Sequence, residues 1–342
     1  MAKVTIKDIA ERAGVSKTTV SFALNAPERI SRETYARIMA IVEELGYVPN
    51  PFARSLTTKR LGALGVLLPQ PIGEVFDNPH LSQVISGIGE ECERRELSLA
   101  MLPLIKGKIL EAARKAYVDG LITIGVGPDH EVVALLERNH IPFVTIDGEE
   151  SSQTINIGID HEKAAYDLMQ HVVSLGRRRI AIFALAPDIK PHEENRRSIV
   201  VEKRLEGFWQ ALAPYNLELE RDVRIMGCPS SIQAGMQTAR MLFSSYDRPD
   251  AIVAMSDIAA IGVILAAREA GLRIPEDVAI AGFDGIPESM LIEPALTTIA
   301  QPGREKGEEA ARVVLEMLDG KPGRHVRLPY TLQIRASTLR TI

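Results

Sequence analysis

The sequence predicts an all-α head at the N-terminus, joined to an α/β core of two doubly wound lobes built on parallel sheets. Three observations carry this expectation. Apolar residues between positions 5 and 45 recur at helical spacing. From Leu61 onward, short β-rich runs alternate with amphipathic helices, and the alternation occurs as two successive series of similar size.

Within the head, Thr5 with Asp8 three residues on forms a capping box, and Ile6, Ile9, Ala10 and Ala13 share one face of a short helix that Gly14 ends. Val15 can plug a small core and Ser16 can cap a second helix, in which Val20, Ala23 and Leu24 turn inward. Lys17, Thr18, Thr19 and Ser21 are left exposed, with Phe22 and Asn25 further along the same helix. Two such helices around a tight turn fit either a helix-turn-helix, whose second helix reads a major groove, or an ordinary helical hairpin. A third helix follows, with Ser31 as its cap, Ile38, Ile41, Val42 and Leu45 as its stripe, and Gly46 as its stop.

Pro49 and Pro51 then interrupt the helical pattern. Asn50 can cap a short helix with Pro51 at its first position, where Ala53 and Leu56 would share a face. A helix this short needs support from DNA or from a second copy of the chain; otherwise the stretch is a flexible linker. Strands are expected at 61–68, 97–102, 120–126 and 142–146, and again at 179–185, 222–226, 251–255 and 278–283, with helices between them. A cleft between two such lobes is the expected ligand site.

Composition narrows the function. The chain has 342 residues, 46% of them hydrophobic, and a formal net charge of −5. The charge is unevenly spread, because residues 1–60 hold ten Lys and Arg against six Asp and Glu, which is +4 and leaves −9 for the rest. Phosphate attraction is local under physiological salt, so an acidic body does not forbid DNA binding by a basic head. No apolar run approaches the ~20 residues a membrane helix needs. The charged start, MAKVTIKDIA, is unlike a signal peptide, so cytoplasmic residence and no membrane association are expected. Cys92 and Cys228 read as buried thiols. There is no P-loop, HExxH or GxSxG sequence, and His130 stands where a dinucleotide fingerprint needs its third glycine. No metal, cofactor or catalytic group is expected.

The blocks TIKDIAERAGVSKTTVS, ELGYVPNPFARSL, VTID, RLEGF, SDIAAIG, GLRIPEDVAIAGFDGIP and PALTTIAQP, in this order, resemble the LacI family of bacterial transcriptional regulators along essentially the whole chain. The resemblance implies a helix-turn-helix domain at 1–48, a hinge helix and linker at 49–60, and a core at 61–342 like that of periplasmic sugar-binding proteins. On that template one lobe comprises about 61–159 and 292–322, the other about 160–291 and 323–342. It also implies a homodimer, or a higher oligomer, on a near-palindromic double-stranded operator. Thr5, Ser16, Lys17, Thr18, Thr19, Ser21, Phe22, Asn25, Asn50 and Ala53 would be DNA contacts, and Leu56 a minor-groove wedge. The family commonly has an arginine where this chain has Phe22, so a bidentate guanine contact is lost and the half-site preference should differ.

By the same resemblance, His80, Asp147, Arg204, Asp257 and Asp284 face the effector. Carboxylates and an arginine fork suit a sugar or other polyol, and purine or another class is less favoured. Asp257 reads alternatively as a helix cap, Arg204 as a surface ion-pair partner and Asp284 as a turn residue. Relatives often carry an aromatic ring at the positions of His80 and Pro229. The expected function is a ligand-responsive transcriptional repressor; the alternatives are a solute-binding receptor without a regulatory role and, further off, an α/β enzyme acting on a sugar.

Overall fold

The computed structural model describes residues 4–47, 60–106, 108–185 and 198–339. Asn50, Ala53 and Leu56 lie outside these residues. The chain divides into two units, Met1–Gly62 and Ala63–Ile342.

In the first unit, α1 (Ile6–Ala13), α2 (Lys17–Asn25) and α3 (Arg32–Glu44) enclose a core of Ile9, Ala10, Ala13, Val20, Ala23, Ile38 and Val42. The expected caps form. The amide and hydroxyl of Thr5 both donate to Asp8 Oδ2 at 2.8 Å, Ser16 Oγ accepts from the Thr19 amide at 3.0 Å, and Ser31 Oγ accepts from the Thr34 amide at 3.2 Å. Gly14 turns the chain at φ +64°, a conformation a side chain resists.

The second unit holds two six-stranded sheets. In the first, β1 (Ala63–Leu67), β2 (Ser98–Leu102), β3 (Gly120–Ile124), β4 (Phe143–Ile146), β5 (Asn156–Gly158) and β11 (Val326–Arg327) lie in the order β11-β5-β4-β3-β1-β2, all parallel. In the second, β6 (Ile180–Ala184), β7 (Val223–Gly227), β8 (Ala251–Ala254), β9 (Ala279–Asp284), β10 (Thr297–Ala300) and β12 (Thr331–Gln333) lie in the order β12-β10-β9-β8-β6-β7, with only β12 antiparallel. The inner strands β6, β8 and β9 are buried along their whole lengths, as parallel strands covered on both faces must be. The strand order is the same in both sheets, which is the doubly wound duplication the sequence suggested.

Helices α4 (Ile72–Asp77), α5 (Pro79–Arg94), α6 (Ile109–Arg114) and α7 (Glu131–Arg138) connect the strands of the first sheet. Helices α8 (His161–Ser174), α9 (Ile199–Leu212), α10 (Ile232–Phe243), α11 (Asp257–Glu269) and α12 (Glu288–Leu291) belong to the second. The long α13 (Gly303–Leu318) returns to the first, where Gly87 and Gly307 bring it against α5. A Cβ on either glycine would lie 2.0 Å from a carbonyl oxygen of the opposite helix. Cys92 and Cys228 are both buried thiols.

The crossovers correct the expected lobe boundaries. The chain leaves the first lobe after β5, close to the expected residue 160. It does not return near 292, because β10 pairs with β9 from Thr297↔Ala281 to Ala300↔Asp284. The return follows Gln301, where Pro302 and α13 begin. The last crossing also shifts, since β11 at Val326–Arg327 still pairs with β5 in the first sheet.

Candidate DNA-reading surface and ligand cleft

On α2 the buried Val20 and Ala23 fix which side faces outward: Lys17, Thr18 and Asn25 are exposed, and Thr19, Ser21 and Phe22 are half-buried. Thr5 and Ser16 are also exposed, at the caps of α1 and α2. Thr19 is drawn back toward its own cap, its hydroxyl 2.8 Å from Ser16 Oγ. Asn25 Nδ2 donates to the Ser21 carbonyl at 3.0 Å. The Phe22 ring carries the Arg29 guanidinium 5.4 Å from its centroid, which places an arginine next to the position that lacks one.

In the second unit, a cavity of about 660 Å³ opens where the carboxyl ends of strands from both sheets converge. Pro69 and Gln70 follow β1, Gly125 follows β3, Asp147 follows β4, Pro229 and Ser230 follow β7, Ser256 follows β8, and Asp284 ends β9. Strand ends at a change of winding direction are where ligands of doubly wound folds bind. From the helices come Asn78 and His80 at the start of α5 and Arg204 on α9.

Asp147 and Asp284 occupy equivalent places, each closing the fourth strand of its lobe and each followed by glycine. Both have positive φ, +52° and +132°. Side-chain-bearing residues take these conformations at a cost, and sites of ligand contact are where that cost is commonly found. Their partners differ. Lys306, from α13 and fully buried, donates to both oxygens of Asp147 at 2.7 Å and to Gln301 Oε1 at 2.6 Å. His161 Nε2 stands 2.9 Å from Asp147 Oδ1. Gln301 Nε2 in turn donates to Asp284 Oδ1 at 2.8 Å, so Asp147, Lys306, Gln301 and Asp284 form one chain from lobe to lobe.

These partners set the charges. Burial pushes Asp147 up, but Lys306 and then His161 outweigh it and hold the carboxyl well below the usual carboxylate range. For Asp284, burial dominates, Arg204 opposes it, Asp257 reinforces it, and the carboxyl is pushed up to about 8. Burial lowers His80 to about 3 and His161 to about 4, so both are neutral at physiological pH. Arg204 is 3% exposed. Its Nη1 donates to the Met255 carbonyl at 2.5 Å, its Nε approaches His161 Nδ1 at 3.4 Å, and its plane lies 3.6 Å from the Phe283 ring centroid.

His80, Asp147, Arg204 and Asp284 therefore all line the cavity, and Arg204 is not a surface ion-pair partner. Asp257 does not line it. Its side chain is fully buried, accepts from the Gly285 and Ile286 amides at 2.7 and 2.9 Å and from Thr298 Oγ1 at 2.6 Å, and so holds the turn after β9 instead of facing a ligand. The residue before it, Ser256, lines the wall in its place and shares a 2.6 Å hydrogen bond with Ser230. Lys306, His161 and Gln301 were not anticipated. Lys306 left a signal, since it falls on the apolar stripe of Gly303, Gly307, Ala310 and Val314, where a charge needs a buried partner.

A three-helix head with an exposed reading helix, joined in one chain to a two-lobed core with a cleft at its strand ends, defines a DNA-binding regulator with a ligand-binding domain. The profile described as "Bacterial regulatory proteins, lacI family" matches residues 5–50, and that of a periplasmic binding protein-like domain matches residues 169–338. The HTH-type transcriptional repressor PurR of Aliivibrio salmonicida is 32% identical over 324 residues, 93% of each chain. The HTH-type transcriptional regulator Rv3575c of Mycobacterium tuberculosis is 27% identical over 328 residues, 92% of this chain and 91% of the relative. Among solved structures, the lac repressor dimer bound to operator and the anti-inducer ONPF shares 26% identity with a TM-score of 0.82 over 99% of this chain and 100% of that one. A LacI family regulator from Enterococcus faecium with bound ribose shares 28% identity and a TM-score of 0.68 over 81% and 98%. The chain belongs to the LacI family. It is a DNA-binding transcriptional regulator of the repressor type and not an enzyme. Among the described residues, no helix is long and apolar enough to cross a membrane.

Proposed function

We propose that the protein represses transcription as a homodimer on a near-palindromic operator, and that a small molecule of the sugar class, bound in the cleft, sets its affinity for that operator. The observation that carries the ligand class is the cavity wall. Asn78, Asp147, Arg204, Ser230, Ser256 and Asp284 bring polar groups to it from both lobes, and none of its described lining residues is Phe, Tyr or Trp. Such a wall suits a polyol, whose hydroxyls donate and accept in many directions, better than a flat base that needs a stacking face. The ribose bound to the Enterococcus faecium relative supports the same reading.

In the head, Lys17, Thr18, Ser21 and Asn25 contact bases or phosphates, Thr5, Ser16 and Thr19 contact the backbone, and Phe22 offers apolar contact to a thymine methyl. The hinge at 49–60 inserts Leu56 into the minor groove, with Asn50 and Ala53 beside it. Ligand acts by linkage: whichever lobe arrangement it prefers is the one whose DNA affinity it imposes.

The test has two parts. A thermal-shift screen of the full chain against neutral sugars, sugar acids, sugar phosphates and nucleobases should raise the melting temperature with a member of a sugar class. Selection from random DNA should return an inverted repeat whose half-site departs from the commonest family sequence at the position facing Phe22. Stabilisation by nucleobases alone would contradict the sugar reading, and selection of the common half-site would contradict the Phe22 reading.

A further inference from the structure

Counting charge around the cleft shows an asymmetry. Lys306 neutralises Asp147, with both carboxylate oxygens held by one ammonium. Arg204 has no such counter-ion: its polar partners are a main-chain carbonyl and an imidazole nitrogen, and Nη2 makes no hydrogen bond among the described residues. The guanidinium is nonetheless almost wholly buried and forms part of the cavity wall. A buried cation without an anion costs several kcal/mol, which a negatively charged group brought by a ligand would offset. Nearby, His80 Nδ1 is buried without a hydrogen-bond partner among the described residues, and Asn78, Ser230 and Ser256 supply neutral donors and acceptors.

Resting on the cleft reading above, we propose that the ligand is an anionic polyol, a sugar acid or sugar phosphate, with one oxygen of its anionic group on Arg204 Nη2 and its hydroxyls on Asn78, Ser230 and Ser256. A neutral sugar would leave the guanidinium uncompensated. The opposite wall permits an anion, because Asp284 near pH 7 is a protonated acid that donates a hydrogen bond and does not repel. The charged groups facing Asp284 are Arg204 from α9, Asp257 from α11 and Lys306 from α13, with the Gln301 amide between. Asp257, itself pushed up to about 6, is already ionised by pH 8, so ionisation of Asp284 is the change that would weaken anion binding there.

The experiment is calorimetric titration of the full chain with D-glucose, D-galactose, D-glucuronate, D-galacturonate and glucose 6-phosphate at pH 7 and pH 9. At least one anion should bind about tenfold or more tighter than its neutral parent at pH 7, and lose that advantage at pH 9. A uronate or the phosphate as tightest binder identifies which anionic group Arg204 holds. Arg204→Gln should abolish the preference for the anion, and Arg204→Lys, which keeps the charge, should retain it. The wild-type comparison needs no variant to fold. Equal or tighter binding of the neutral parents, binding by none of the anions, or an Arg204→Gln protein of unchanged anion affinity would each overturn the proposal. A neutral sugar that binds and shifts operator affinity would sink this proposal but not the regulatory one. An anion that binds tightly without changing operator affinity would do the reverse.

Discussion

Asp147 and Asp284 sit at the same station of two lobes with the same strand order, and they are held in opposite protonation states. Each ends the fourth strand of its sheet at positive φ, and each is deeply buried. What separates them is the element that follows. The helix after β10 brings Lys306 back to Asp147, whereas Asp284 receives only the Gln301 amide. Duplicated backbone geometry thus gives two carboxyls whose chemistry is decided by one lysine, which makes one of them a fixed anion and leaves the other a hydrogen-bond donor.

The largest expected effect comes from removing that lysine. Lys306→Ala leaves Asp147 buried without its counter-ion and should destabilise the core by about 3–5 kcal/mol, read by denaturant unfolding. Replacing Asp147 and Lys306 together with Leu and Met should recover most of the loss. If the single variant costs under about 1 kcal/mol, the lysine is not what sets the two carboxyls apart. Next comes Asp257, which neighbours the cleft without entering it. Asp257→Ala strands two amides and a hydroxyl and should cost about 2–4 kcal/mol, while Asp284→Asn, which strands nothing, should cost much less. Equal losses would place both aspartates in the same role.

Titration gives a third comparison. Asp284 has a folded value of about 8 against an ordinary 3.8, so its contribution to stability is intact below pH 4 and is lost as pH rises through 8. Asp147 runs the other way, contributing above pH 4 and failing in acid. His80 and His161, held at about 3 and 4, add stability that is present above about pH 6.5 and lost as pH falls. Asp284→Asn should therefore gain on wild type by on the order of 2 kcal/mol between pH 5 and pH 8, measured as unfolding free energy. A parallel pair of pH curves would mean that Asp284 is ionised in the native protein. The smallest effect lies outside the lobes: Ser31→Ala removes the cap of α3 and should cost the head about 1 kcal/mol while leaving ligand binding unchanged.

Much of this architecture was legible in the chain. The caps at Thr5, Ser16 and Ser31 and eight of the twelve strands follow from local pattern, because long buried runs and helix starts carry their own signals. The short strands β5, β11 and β12 carry too few residues to show a period, and β10 lies inside a conserved-looking block whose lobe is decided by pairing with β9. In the cleft, His80, Asp147, Arg204 and Asp284 were reachable from motifs, yet Asp257, the fifth, turns inward to its own turn. Lys306 and Gln301 could not be placed from the sequence, since their partners lie more than a hundred residues away along the chain or across the lobe boundary.

The central claim is that the cleft governs the head, and an operator titration of the full chain tests it most directly. With saturating ligand from the screen, operator affinity should change by about tenfold or more, in the range usual for coupled sites, and Arg204→Gln should abolish the change at the same ligand concentration. Operator affinity that stays the same in saturating ligand would contradict the account.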